Sequence, residues 1–109
     1  MTIQQLSNEL GLKAICIPEP EREIDGVYIG DLLSWVMGRA DSGNVWITIM
    51  SNINTIAVAA LTDVCAILLS ENVQPDEDAR AAAEAKGINI LSTPLSSYEV
   101  AVKIHEVLS

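Results

Sequence analysis

The sequence predicts an α/β domain: a mainly parallel β-sheet with helices packed on it, assembled from βα repeats. Three observations carry this. The apolar runs Val27-Tyr28-Ile29, Val45 to Ile49, Cys65 to Leu69 and Ile88 to Leu91 are near-continuous rather than alternating, as in strands covered on both faces. Helix-forming stretches alternate with these runs at about 20 residues per unit, the rhythm of crossover connections rather than of a solenoid. Half of the residues are hydrophobic and Phe is absent, which makes the core branched-aliphatic. The 109 residues are expected to form one domain, 1–109, because two would each be too small for a core of their own. Crossover chirality leaves open which strand is central.

The elements follow in order. Thr2 caps a first helix with Gln5 in the capping-box position, Ile3, Leu6 and Leu10 form its apolar face, and Gly11 stops it. The short apolar run Lys13 to Ile17 is broken by Pro18 and Pro20. Glu19 to Asp25 is charged and reads as a surface loop. Val27-Tyr28-Ile29 is a strand ending at Gly30, and Asp31 is placed to cap a helix from Leu32 to about Gly38. Gly43 turns into Val45-Trp46-Ile47-Thr48-Ile49, the clearest strand. Asn52 or Asn54 caps the helix through Ala57, Val58 and Leu61, and Cys65 to Leu69 is the next strand. Pro75 and Asp76-Glu77-Asp78 open an Ala-rich helix that ends at Lys86-Gly87, with acids and Lys placed to suit the helix dipole. After the strand Ile88 to Leu91, Ser96 and Glu99 form a capping box for a final helix with Val100, Ile104 and Val107 facing inward.

Charge restricts the partners. Six basic residues stand against 15 acidic ones, a net charge of −9. The cations are scattered singly, so no basic stripe tracks a phosphate backbone or an anionic membrane surface. No apolar run reaches the length of a membrane span. Met1-Thr2-Ile3-Gln4-Gln5 has neither a basic n-region nor an apolar h-region, and a cytoplasmic protein is expected. Cys16 and Cys65 lack CxxC spacing, sit in apolar runs and read as buried reduced thiols.

Ligands of open parallel sheets bind beyond the carboxyl ends of the strands. Those ends deliver Gly30-Asp31, then Ser51-Asn52-Ile53-Asn54-Thr55, then Ser70-Glu71-Asn72, then Ser92-Thr93. Asp31, Thr48, Asn52, Asn54, Ser70 and Thr93 are therefore the candidate ligand-binding residues. Ordinary helix capping accounts for several of them singly, but two Asn flanking Ile53 exceed what one cap needs. Thr93-Pro94-Leu95-Ser96-Ser97 also reads as a rigid βα turn. Trp46 is expected in the core. Trp35 and Met37 lie on a helix that is apolar on more than one face, and they are the candidate interface of a homodimer, with burial inside the chain as the alternative for Trp35.

Catalytic patterns are missing. There is no GxxxxGK[ST] and no GxGxxG. His105, the only histidine, falls in the last helical turn, where a cation suits the dipole. Asp76-Glu77-Asp78 lacks the spacing of a calcium loop. No metal, no cofactor and no enzyme activity are expected.

Arg22-Glu23-Ile24-Asp25-Gly26-Val27-Tyr28-Ile29-Gly30-Asp31-Leu32-Leu33 resembles the signature stretch of the DRTGG domain family. Val45-Trp46-Ile47-Thr48, Asn54 with Ala57-Val58-Ala59, Ile90-Leu91-Ser92-Thr93-Pro94 and Glu99-Val100-Ala101 resemble its later blocks. The chain departs from the eponymous motif, with Ile24-Asp25-Gly26 in place of Thr and paired glycines. The family is similar to the N-terminal domain of HPr kinase/phosphorylase, which implies the same α/β fold without the kinase's separate catalytic domain. The resemblance implies a regulatory or dimer-forming role, accompanying CBS or phosphotransacetylase-like domains in larger proteins. For stand-alone members it implies a bacterial setting near hydrogenase and redox metabolism. The function expected is a non-catalytic regulatory domain that senses a small metabolite or nucleotide at the carboxyl edge. The alternative is a homodimerisation module with a protein partner and no small ligand.

Overall fold

The computed structural model describes residues 1–109. Its elements are α1 (Ile3–Leu10), β1 (Lys13–Cys16), β2 (Val27–Ile29), α2 (Leu33–Arg39), β3 (Val45–Thr48), α3 (Ile53–Thr62), β4 (Ala66–Leu69), α4 (Glu77–Lys86), β5 (Ile90–Ser92) and α5 (Ser97–Leu108). The strands form one five-stranded sheet in the order β1-β5-β4-β3-β2. β2, β3, β4 and β5 are parallel, each paired to the next. β1 joins the outer side of β5 antiparallel, with a register irregularity between Ala14 and Cys16.

Two cores result from strand alternation. Trp46, Ile67, Leu69 and Ile90 point to the face covered by α2, α3 and α4, where they meet Val36, Ile56, Ala59, Ala79 and Ala83. Val45, Ile47, Leu68 and Leu91 point to the other face, where α1 and α5 supply Ile3, Leu6, Val100 and Ile104. All residues of β3, β4 and β5 are buried, which is why their sequences read as unbroken apolar runs. β2 departs from that expectation: Val27 and Ile29 are exposed, because α5 packs chiefly over β3 and leaves an open groove between itself and the edge strand.

Most caps fall where expected. Thr2–Gln5 and Ser96–Glu99 form both capping boxes, and Asn52 and Asp76 cap α3 and α4. Asp31 does not cap α2. Leu32 holds that position with no side-chain hydrogen bond, because the Asp31 carboxylate is taken up by the end of β3. The last strand also lies further along than expected: Ile88 N–H still bonds the end of α4 through Ala83 O, so pairing with β4 is centred on Ile90 to Ser92.

β1 and β2 occupy opposite edges of the sheet, so the charged segment between them runs as a strap across the strands' amino ends. Asn89, buried, accepts from Glu19 N–H at 2.9 Å and donates to the Glu19 and Cys65 carbonyls. Arg22 bonds Asp63, and Asp25 N–H bonds Gly43 O at 2.8 Å. Gly43 has φ +84°, and a Cβ there would sit 3.0 Å from the Asp25 Cβ, so the strap's close approach requires glycine.

Candidate functional site

The parallel strands put Asp31, Thr48, Ser70 and Thr93 at one edge of the sheet, as expected, but that edge has two unlike halves. At the ends of β4 and β5 the loops lock together. Glu71 N–H donates to Leu95 O at 2.8 Å and Asn72 N–H to Thr93 O at 2.9 Å, with Glu71 and Asn72 both in the left-handed region. The Ser70 and Ser97 hydroxyls are 2.7 Å apart, and Thr93 Oγ1 accepts from Leu95 N–H. Ser70 and Thr93 are buried, so their polar atoms serve the lock rather than face solvent.

The half at β2 and β3 is open. The Thr48 hydroxyl, itself buried, donates to Asp31 Oδ1 at 2.8 Å, and the Ile49 amide donates to the same oxygen at 3.0 Å. Thr48 Oγ1 in turn accepts from Met50 N–H at 3.1 Å. One carboxylate oxygen thus fixes the β3–α3 turn, and the other receives no hydrogen bond from the chain. The turn leads into α3, where Asn52 Oδ1 accepts from the Asn54 and Thr55 amides at 2.9 and 3.3 Å. The amide ends of Asn52 and Asn54 make no intramolecular bond, and both residues are exposed.

Thr55 closes the stretch Ser51 to Thr55 at the carboxyl edge but is not one of the six candidate ligand-binding residues. It is buried, and its hydroxyl has no hydrogen-bond partner. It borders a narrow crevice with Met50, Ser51, Ile56 and Pro75. The spacing of Thr55 to Val58 and Ala59 carries it onto the inward face of α3, a signal readable in the sequence.

Trp46 is fully buried, with Nε1 donating to Gly30 O at 2.8 Å. Trp35 is not buried. Its side chain is 55% exposed, Met37 is 53% exposed, and the Arg39 guanidinium lies 4.1 Å from the Trp35 ring centroid. Cys16 and Cys65 are free thiols in the core. Burial, with a hydrogen bond from Cys16 to Glu84 at 3.0 Å, pushes the Cys16 thiol up to about 12; burial pushes Cys65 to about 12 as well. No group of three His, Cys, Asp or Glu side chains converges as a metal site, and no helix is long and apolar enough to cross a membrane.

The family model of the DRTGG domain matches residues 5–107. The chain belongs to the DRTGG domain family. Among solved structures, this DRTGG domain is similar to the CBS and DRTGG domains of the regulatory region of Clostridium perfringens pyrophosphatase, complexed with its activator diadenosine tetraphosphate. The TM-score is 0.72 at 15% identity, over 92% of this chain and 44% of that one. The likeness establishes the α/β fold, and the chain spans less than half the length of that regulatory region. A search of curated proteins finds no significant match.

Proposed function

We propose that this DRTGG domain is a non-catalytic regulatory module, folded as a single domain, that binds a small metabolite or nucleotide at the open half of its carboxyl edge. The carrying observation is the Asp31 carboxylate, with Oδ1 pinned by Thr48 and Ile49 and the second oxygen free. A carboxylate held in this way suits the hydroxyls of a ribose at the carboxyl edge of a parallel sheet. Asp31, Asn52 and Asn54 are the proposed contacts, Thr48 positions Asp31, and Ser70 and Thr93 set the shape of the closed half. The Clostridium regulatory region takes a nucleotide activator, which supports the regulatory class and makes nucleotides the first ligands to test. The family resemblance supports a bacterial, cytoplasmic setting near hydrogenase or redox metabolism.

Native mass spectrometry of gently purified protein, followed by calorimetric titration with AMP, ATP and diadenosine tetraphosphate, tests the reading. A retained or titrated small molecule whose affinity drops in Asn52→Ala and Asn54→Ala is the expected result. Affinities unchanged by both substitutions would end it.

A second reading, self-association, is favoured by the exposure of Trp35 and Met37 on α2. Aromatic and Met side chains left half in water are the kind enriched at interface cores.

A further inference from the structure

α2 is anchored to the sheet through Val36, its one buried residue. A groove of about 340 Å³ lies between the helix and the end of β2. Tyr28 supplies one of its walls. The Tyr28 ring lies on Gly30, where a Cβ would come within 2.8 Å of ring carbon Cε2, so this close approach requires glycine. Trp35 supplies a second wall. Arg39, one helical turn further on, sets its guanidinium 4.1 Å from the Trp35 ring centroid, a cation–π contact that holds the planar fork in place. With Arg39 there, Trp35 is still 55% exposed. Asp31 also lines the groove, and one of its carboxylate oxygens receives no hydrogen bond from the chain.

The chemistry of these groups selects a ligand. Of the three arginines, Arg22 and Arg80 are paired with Asp63 and Glu77, and Arg39 has no carboxylate partner. A guanidinium held flat matches a phosphate through two parallel hydrogen bonds. On a chain of net charge −9, a single unpaired arginine suits one phosphoryl group and not a polyanion. An exposed indole is a platform for a flat base. The volume lies at the small end of the range for small-molecule sites, about 300–1,000 Å³, which fits one nucleotide. We infer that this groove binds a nucleoside monophosphate, with the base against Tyr28 and the open part of Trp35, the ribose hydroxyls on Asp31 and the phosphate on Arg39. This inference rests on the ligand-binding reading in its use of Asp31. It deepens that reading by naming the ligand class and by placing base and phosphate on the α2 side of the carboxylate.

The test is calorimetric titration of the full chain with AMP, adenosine and ribose 5-phosphate, with tryptophan emission followed alongside. Trp46 is buried and Trp35 exposed, so a base stacked on Trp35 quenches the solvent-open part of the emission. AMP is expected to bind and to quench, and the two fragments to bind more weakly. Trp35 and Arg39 are both exposed, so variants at either position are expected to fold. Arg39→Gln is expected to weaken AMP about tenfold or more and to leave adenosine unchanged. Trp35→Leu is expected to weaken AMP and adenosine about tenfold or more and to leave ribose 5-phosphate unchanged. AMP without effect on heat or emission at about 1 mM, the range of the weakest complexes, overturns the inference. A different small molecule retained in the native mass spectrum would then keep the wider reading. AMP affinity that drops in Asn52→Ala and is unmoved by Trp35→Leu and Arg39→Gln overturns this groove and leaves the carboxyl-edge site standing. A dimer that Trp35→Leu dissociates, with AMP affinity unchanged, assigns Trp35 to self-association and overturns the inference as well.

Discussion

The Asp31 carboxylate and the Thr48 hydroxyl, 2.8 Å apart, tie the end of β2 to the end of β3. The bond crosses between neighbouring strands at the edge where ligands of this architecture bind. Asp31→Asn keeps an acceptor oxygen for Thr48 and Ile49 while removing the charge. Its unfolding free energy is expected to stay within about 1 kcal/mol of wild type. Ligand affinity is expected to fall about tenfold. Urea denaturation beside calorimetry separates the two effects, and a large stability loss with unchanged affinity would make Asp31 purely structural.

Asn52 and Asn54 are expected to part company. Asn52→Ala removes the α3 cap and costs about 1 kcal/mol of stability. Asn54→Ala leaves the melting temperature nearly unchanged, since its exposed side chain makes no intramolecular hydrogen bond. Equal destabilisation by both would contradict the capping geometry.

Thr55→Val is expected to stabilise the protein by about 1 kcal/mol, because it replaces an unpaired buried hydroxyl with a methyl group of the same shape. Chemical denaturation measures this directly. A loss of stability would show that the hydroxyl has a partner.

Asp63 closes α3 in the left-handed conformation, and its carboxylate accepts from Ser42 at 2.6 Å and Arg22 at 3.1 Å. The Ser42 hydroxyl first, and then Arg22, hold its carboxyl below the ordinary range. A depressed folded value gives stability that is present above the unfolded pKa of about 3.9 and lost as pH falls through the folded value. Asp63→Asn tolerates the same backbone. Its deficit against wild type is therefore expected at neutral pH and to shrink below about pH 4, as melting curves across that range will show.

Both thiols, pushed up to about 12, are expected to resist alkylation in the native protein at neutral and mildly alkaline pH. They are expected to react fully in denaturant. Mass spectrometry after iodoacetamide treatment reads the difference, and rapid labelling of Cys16 in the native state would place it outside the core.

Local chemistry determined most of the elements from the sequence by itself. The capping pairs Thr2–Gln5 and Ser96–Glu99, the stop at Gly87 and the unbroken runs of β3 and β4 depend on neighbours a few residues away, so they could be read directly. The parallel α/β class followed, and with it the common edge shared by Asp31, Thr48, Ser70 and Thr93. Tertiary structure alone decided what these residues do. Asp31 looked like a cap for the next helix, yet it bonds Thr48, 17 residues distant. Ser70, a candidate site residue, meets Ser97, 27 residues away. The strap from Glu19 to Asp25 looked like a plain loop until strand order set β1 and β2 at opposite edges. A short polar side chain satisfies itself with whichever donor or acceptor the fold brings near, and only strand order and register determine which one that is.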